Sequence, residues 1–159
     1  MPAIEDSIGT KNDGATAKSP TIQRSFDELS TGMKESLSHT VTREDVDRFA
    51  ELTGDRNPVH VDEEFARNSR FGRCIAHGMF GAGLISAVLG TRLPGPGNLY
   101  MDQSLKFRKP VFIGDTITAT VEIVEIYPEK RRTRLSTICT NQDGVVVTEG
   151  EALLYFDQQ

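Results

Sequence analysis

The sequence contains no tryptophan, only two cysteines and no long apolar run. Its longest apolar stretch spans about a dozen residues near 79–89, which is too short for a membrane-spanning helix. Cys74 and Cys139 lie far apart, so they match neither a metal-binding spacing nor a disulfide framework. We therefore expect buried, reduced thiols, no metal and no membrane partner.

An excess of positive charge is also missing. The chain has 18 lysines and arginines against 23 acidic residues, giving a net charge of −5. Binding to nucleic acid usually requires the opposite sign, so DNA and RNA are not expected partners. The N-terminus lacks the apolar segment of a secretory signal. We expect a cytoplasmic protein, or a mitochondrial matrix protein in a eukaryote.

The 159 residues are enough for one domain with its own core. Residues 1–24 are rich in small and polar residues and show almost no apolar periodicity, which predicts a flexible N-terminal arm. Residues 25–159 are predicted to form a single domain.

Three helices are predicted in the first half of that domain. Thr42 and Asp45 form a capping pattern before a helix that Gly54 ends. A short helix is expected within 62–72. The segment 77–93 is apolar around nearly its whole circumference, which indicates a helix inside the protein.

Strands follow the apolar helix. Residues 34–41 suggest a first strand, and four longer segments with a period of two lie at 99–111, 115–127, 132–142 and 145–156. Asp143 and Gly144 predict a hairpin turn. About five strands bury an apolar helix only by curling around it. We therefore predict an α+β fold, a curved antiparallel sheet wrapped around one central buried helix.

Residues that could transfer protons are concentrated in the sequence GDRNPVH, residues 54–60. Pro58 favours a bent, extended segment that can direct Asp55 and His60 toward one water. Such a pair can add or remove protons, and Asn57 can orient the water or the acid. The alternative is an ordinary polar turn with a packed histidine. His39, in the first strand, is expected to be structural or exposed.

A second candidate is His77-Gly78, where the apolar helix begins. A free helix N–H beside glycine can approach a ligand carbonyl and act as an oxyanion hole. Close packing of the helix is the alternative. Ser86 lies near the same face two turns later, where it could hold Asp55 or bond to its own helix.

Two groups of basic residues could bind the phosphates of a ligand that contains a nucleotide-like group. The first group is Lys106, Arg108 and Lys109, and the second is Lys130, Arg131, Arg132 and Arg134. Solvated strand faces and hairpin tips would explain both groups equally well.

Three stretches together carry a resemblance to a known family. FAELTGDRNPVHVDEEFA, FGRCIAHGMFGAGLISAVLG and LPGPGNLYMDQSLKFRKPVFIGDTITATVEI resemble the MaoC-like hydratases and dehydratases, over roughly residues 26–156. The resemblance implies a hot-dog fold, a homodimer and no cofactor. It also implies reversible syn hydration of a trans-2-enoyl thioester, either of CoA or of a carrier protein, to an (R)-3-hydroxyacyl thioester.

The resemblance also implies roles for single residues. Asp55 and His60 become the catalytic pair, Asn57 helps to place the water, Gly78 donates to the thioester carbonyl, and Ser86 supports Asp55. Which member of the pair moves which proton stays open.

The substrate's two ends can be assigned in the same way. The acyl chain is expected beside the central helix, along Ala82, Ile85, Ser86 and Leu89. The phosphates of CoA are expected near Lys106, Arg108 and Lys109. Two alternatives to a CoA-dependent hydratase are a dehydratase acting on acyl carrier protein and a non-catalytic protein that binds acyl thioesters.

Overall fold

A computed structural model describes residues 20–157. The helices are α1 (Arg43–Thr53), α2 (Pro58–Val61), α3 (Glu63–Asn68) and α4 (Gly78–Thr91). The strands are β1 (Lys34–Thr40), β2 (Asn98–Gln103), β3 (Lys106–Phe107), β4 (Thr116–Tyr127), β5 (Arg132–Thr140) and β6 (Val146–Phe156). Short 3₁₀ turns cover Phe26–Glu28 and Pro128–Lys130.

Most of the predicted N-terminal arm lies outside the described residues. Its last residues contact the domain: the N–H of Ile22 donates to the carbonyl of Thr91 at 2.7 Å. Arg24 forms an ion pair with Glu35 at 3.1 Å.

The strands form one antiparallel sheet. Its order is β1-β4-β5-β6-β2, and β3 pairs with β6 beside β2. Helix α4 packs against β4, β1 and β5. The predicted α+β architecture, an antiparallel sheet around a central helix, is therefore confirmed.

The core lies between α4 and the inner face of the sheet. Ile85, Val88 and Leu89 are completely buried on the helix side. Along β4 the buried residues alternate with more exposed ones, as a strand with one inward face requires. The alternating buried residues are Ile117, Ala119, Val121 and Ile123. Burying each large apolar side chain contributes about 1.5–3 kcal/mol to folding.

Helix α4 departs from the prediction on its other face. Its apolar circumference suggested full burial, yet Gly78, Met79, Gly83 and Ser86 are all exposed. The sheet of this one chain covers a single side of the helix. The other side of the helix is not covered by this sheet and carries mostly small and apolar residues.

The start of α1 follows the predicted capping pattern. The Thr42 hydroxyl accepts from the N–H of Asp45 at 3.1 Å, and the Asp45 carboxylate accepts from the N–H of Thr42 at 2.8 Å. Gly54 ends the helix with a φ of 80°. His39 contacts the same carboxylate at 2.8 Å, so this histidine has a structural contact at the helix start.

The segment 99–111 is not one long strand as predicted. It divides into β2 and β3 at Ser104, where the chain passes very close to β6. A Cβ built on Gly150 would lie 1.8 Å from the Ser104 carbonyl oxygen. This contact requires glycine in β6 and interrupts the pairing.

The remaining predictions about local structure concern the turn and the cysteines. Gly144 adopts a φ of 73° between β5 and β6, which confirms the turn. Cys74 and Cys139 are buried and free, and burial raises the pKa of the Cys139 thiol to about 12. No helix among residues 20–157 is long and apolar enough to cross a membrane.

Candidate active site

The segment Gly54–His60 begins directly after α1 and continues into α2. Its conformation differs in part from the prediction. Asn57 is outside the helical region, with φ −51° and ψ 125°, as expected before proline. The chain does not stay extended after that point, because Pro58 begins the single turn of α2. Proline suits this first position, where no N–H is needed. The Asn57 side chain caps the turn by accepting from the N–H of Val59 at 3.3 Å.

His60 lies on that turn and is 8% exposed. Its Nδ1–H donates to the carbonyl of Ile75 at 2.7 Å, because a carbonyl only accepts. Nε2 is therefore left with its lone pair. Burial lowers the pKa of His60 below its ordinary value of 6.5, and the nearby His77 lowers it further. The ring is thus neutral and available as a base at neutral pH.

Asp55 is exposed at the end of α1 and reaches the same place. One side-chain ligand atom of each of Asp55, His60 and His77 lies within 4.8 Å of the others. The structure therefore brings the predicted acid/base pair together. The Asp55 carboxylate also accepts from the N–H of Asn57 at 3.2 Å, which keeps Asn57 beside it.

Gly78 is the first residue of α4, so its N–H has no acceptor within the helix. A Cβ at this position would lie 2.8 Å from Cε1 of Phe107. A side chain here would force either the ring of Phe107 or the start of α4 to move, so the close approach favours glycine in addition to any ligand. Phe107 lies in β3 and is 54% exposed.

Two cavities meet at this point. The larger, of about 640 Å³, extends along the exposed face of α4, and we call it the helix-side cavity. The smaller, of about 400 Å³, has three cations on its wall, and we call it the basic cavity. Asp55 lines the first and His60 lines the second. The residues shared by both are His77, Gly78 and Met79.

The residues predicted to line an acyl pocket are divided between cavity and core. Ala82 and Ser86 line the helix-side cavity. Ile85 and Leu89 are completely buried instead, because they lie on the face of α4 that packs against the sheet. Within residues 20–157, no hydrogen bond joins Ser86 to Asp55, although both line the same cavity.

The predicted phosphate-binding cations are also divided. Arg108 and Lys109 line the basic cavity together with Arg70, which the sequence pattern did not single out. Lys106 is exposed in β3 and does not line this cavity. Arg108 is held by Glu149 through its Nε at 2.9 Å.

Asp55, His60 and His77 are residue types that can bind a metal ion. Their arrangement, however, does not direct their ligand atoms toward one ion. The two imidazole rings are stacked, with centroids 4.0 Å apart and planes 33° apart. Ring lone pairs lie in the ring planes, so stacked rings direct them side by side rather than toward one ion. Nε2 of His77 is already bonded to the Asp55 carbonyl at 2.8 Å.

Sequence reasoning missed two further residues of the helix-side cavity, Tyr100 and Gln103. In a regular strand, residues three apart point to opposite faces. A register shift between Tyr100 and Asp102 brings both into one cavity, and the Tyr100 hydroxyl donates to Gln103 at 2.5 Å. Only the structure could reveal this shift. Burial raises the pKa of Tyr100 to about 12, which keeps the hydroxyl protonated.

The antiparallel sheet packed on a central helix defines a hot-dog protein. A carboxylate and two imidazoles lie together beside the start of that helix. The comparisons with known proteins agree with this class. Residues 26–147 match the model of the MaoC like domain, and the chain belongs to that family.

Two curated relatives and one solved structure place the chain within the family. It is 54% identical over 129 residues to 3-hydroxybutyryl-CoA dehydratase of Methylorubrum extorquens, covering 81% of this chain and 82% of the relative. It is 52% identical over 127 residues to (R)-specific enoyl-CoA hydratase of Rhodospirillum rubrum, covering 80% and 88%. The structure of the unliganded R-hydratase PhaJ1 from Pseudomonas aeruginosa superposes with a TM-score of 0.80 at 40% identity, covering 84% of this chain and 86% of that one.

Proposed function

We propose that this protein reversibly hydrates trans-2-enoyl-CoA to (R)-3-hydroxyacyl-CoA. One observation carries the proposal: Asp55, His60 and the free N–H of Gly78 meet where the two cavities join. A thioester placed there has its carbonyl beside Gly78 and its double bond beside the acid/base pair. The relatives named above, which are hydratases or dehydratases of CoA thioesters by name, support this substrate class.

The proton transfer follows from the bonds of His60. Its Nδ1–H is committed to Ile75, so Nε2 takes a proton from water as the water oxygen bonds to the β-carbon. The electrons of the double bond move toward the thioester carbonyl. The same proton then passes to the α-carbon, so water adds across the double bond from one face. The Asp55 carboxylate stabilises the imidazolium while it exists.

The first turn of α4 stabilises the negative charge that develops on the carbonyl oxygen. The N–H of Gly78 points out of the helix start, where the helix dipole also favours negative charge. Losing one such donor costs about 3 kcal/mol in other enzymes. Gly78 therefore serves as the oxyanion donor in this proposal.

The two cavities suit the two ends of the substrate. The basic cavity, with Arg70, Arg108 and Lys109, fits the phosphates and pantetheine arm of CoA. The helix-side cavity, with Ala82 and Ser86, fits the acyl chain. Phosphopantetheine on a carrier protein offers the same phosphate chemistry, so a carrier-protein substrate is the alternative that the experiment must separate.

We infer that the protein is a homodimer. Strand β2 is an edge of the sheet and exposes Leu99, Tyr100 and Met101 in succession. An apolar edge strand favours pairing with another chain. Tyr100 also lines the helix-side cavity, so a second copy at this edge would help to close that cavity. Light scattering during gel filtration should give twice the mass of one chain. The substitution Met101→Lys should reduce the measured mass to that of the monomer. A monomeric wild-type protein would contradict the inference.

We infer a reducing compartment, either the cytoplasm or, in a eukaryote, the mitochondrial matrix. The two buried cysteines are free thiols, and reducing compartments keep cysteines in this form. Fractionation of the source cells with antibody detection would check the location, and recovery of the protein in a secreted fraction would contradict it.

The activity itself is tested by adding purified protein to crotonyl-CoA and to longer enoyl-CoA substrates, and following the loss of enoyl-thioester absorbance. Chiral analysis should give the (R)-3-hydroxyacyl product, and an (S) product would overturn the proposed stereochemistry. A parallel series with enoyl-acyl carrier protein distinguishes the carrier-protein dehydratase. Thioester binding without turnover in either series would favour the non-catalytic alternative.

A further inference from the structure

His77 is buried between the elements of the site, with 3% of its surface exposed. Its ring stacks on His60 of α2 at a centroid distance of 4.0 Å and on Phe49 of α1 at 4.7 Å. It directly precedes Gly78 and occupies the capping position of α4, yet its side chain does not cap that helix. Three helices therefore meet at this one side chain.

The hydrogen bond of His77 fixes its tautomer. Nε2 lies 2.8 Å from the backbone carbonyl of Asp55, and a carbonyl only accepts, so Nε2 carries the proton. Nδ1 is buried and has no hydrogen-bond partner among residues 20–157. A second N–H at Nδ1 would be a buried donor with no acceptor, which is costly. The ring therefore has one N–H, and that N–H points to the segment that contains Asp55.

This bond connects the acid/base segment to the residue before the oxyanion donor, and it joins residues 22 apart in sequence. At the other end of the segment, His60 bonds to the Ile75 carbonyl at 2.7 Å and the N–H of Ile75 bonds to the Val59 carbonyl at 3.2 Å. The other hydrogen bonds of Asp55 within the described chain run to Thr53 and Asn57, two residues away on either side. Those local bonds shape the segment but do not fix it against α4. Within residues 20–157, the bond to His77 is therefore the one that ties Asp55 itself to the start of α4.

We propose that His77 is a positioning residue that holds the Asp55 segment in register with the oxyanion N–H of Gly78 through its Nε2–H bond to the Asp55 carbonyl. The proposal rests on the proposed hydratase function. Displacement of a catalytic group by about 1 Å can cost about 100-fold in rate. His77 lines both cavities, so a substitution that keeps a ring of similar size there should leave the cavities largely unchanged, and the effect of losing the bond should fall on kcat.

Three substitutions separate the hydrogen bond from packing. His77→Phe keeps an aromatic ring but has no donor, and kcat should fall about 100-fold while KM changes by less than about threefold. In His77→Gln the amide N–H can replace Nε2–H, and kcat should stay within about tenfold of wild type. His77→Asn has the donor but not the reach, and it should resemble the phenylalanine variant. His39→Gln is the matched control, because this histidine bonds Asp45 outside both cavities.

Several outcomes would overturn the proposal. Wild-type kcat in His77→Phe would do so, as would equal losses in the glutamine and phenylalanine variants, or a loss confined to KM. If the phenylalanine variant does not fold, as judged by circular dichroism, the comparison of the glutamine and asparagine variants decides alone.

One measurement does not depend on activity. Long-range ¹H–¹⁵N NMR of the wild-type protein should show His77 as the Nε2–H tautomer. Finding the Nδ1–H tautomer would overturn the positioning role, even if the protein hydrates enoyl-CoA. Finding the Nε2–H tautomer in a protein without hydratase activity would instead overturn the proposed function.

Discussion

Two polar turns in this protein look alike in sequence and differ in their contacts. Segment 54–60 and turn 141–145 each contain an aspartate and a glycine with positive φ, 80° at Gly54 and 73° at Gly144. Each also has a side-chain oxygen that accepts from the backbone two residues later. Locally, they are the same kind of structure.

The difference lies in what else each turn touches. Segment 54–60 is bonded to residues far along the chain, through His60 to Ile75 and through Asp55 to His77. Turn 141–145 is also bonded to distant residues, because Gln142 accepts from the N–H of Thr116 at 3.0 Å and donates to the Asp115 carboxylate at 3.0 Å. Within residues 20–157, however, no hydrogen bond joins Asp143 to a residue outside its turn. Turn chemistry alone therefore does not distinguish a catalytic segment from a hairpin tip. The contacts of the aspartate do, because Asp55 is bonded to His77 and lies beside two imidazole rings, whereas Asp143 bonds only within its own turn.

The largest effect is expected from the two aspartates. Asp55→Asn removes the charge beside His60, and kcat for crotonyl-CoA should fall about 1,000-fold, within the range of general acid–base catalysis. Asp143→Asn makes the same chemical change at the hairpin tip and should leave kcat unchanged. Steady-state kinetics on the two variants check this, and similar kcat values would remove the proposed distinction between the turns.

The next effect concerns Gly78, which directly follows His77, the residue bonded to Asp55. Gly78→Ala places a methyl group against Phe107, so either the ring or the helix start must move. We expect kcat to fall about tenfold or more, because the oxyanion donor shifts. Adding Phe107→Ala should recover part of the loss. No recovery would mean that the methyl group acts on the ligand rather than on the ring.

A smaller effect is expected from the two turn glycines. Gly54→Ala and Gly144→Ala both force a side chain into the left-handed region and should each reduce the free energy of unfolding by about 1–2 kcal/mol. Urea denaturation measures this. Only Gly54→Ala should also lower kcat, by about threefold to tenfold, since it displaces Asp55. Equal activity in both variants would contradict the proposed catalytic role of segment 54–60.

The smallest effect is a shift in pH dependence. His60 must be neutral to accept a proton, and burial lowers its pKa below 6.5. The acidic limb of kcat/KM should therefore lie below pH 6.5, and Asp143→Asn should not move it. Because the unfolded chain binds this proton more readily, the free energy of unfolding should also fall as pH drops through 6.5. A limb above pH 6.5 would contradict the buried environment of His60.

Much of the fold could be predicted because local signals and packing agree. The alternation along β4 and the capping pair of Thr42 and Asp45 both correspond to their observed structures. The break between β2 and β3 could not be predicted, because it arises from contact between Ser104 and Gly150, which are distant in sequence. The helical turn after Asn57 was also missed, since proline is compatible with both a bend and a helix start.

The candidate site divides in the same way. Asp55, His60 and Gly78 could be named as candidates because their motifs resemble those of the MaoC-like family; residue types and spacing alone left a polar turn and close helix packing open. Phe107, Tyr100 and Gln103 come from strands whose register and bulge only the folded sheet defines. The assignment of Ile85 and Leu89 depended on which side of α4 the sheet covers, and helical periodicity does not specify that side.

The two faces of α4 have a consequence for how such proteins can diverge. Its buried face is constrained by the core, whereas a Cβ added at Gly83 on the exposed face would meet none of the described residues within 4 Å. Gly83 also lines the helix-side cavity. A single substitution there can shorten the cavity without destabilising the core. Substrate preference can therefore change along one face of the helix while selection for stability acts on the other.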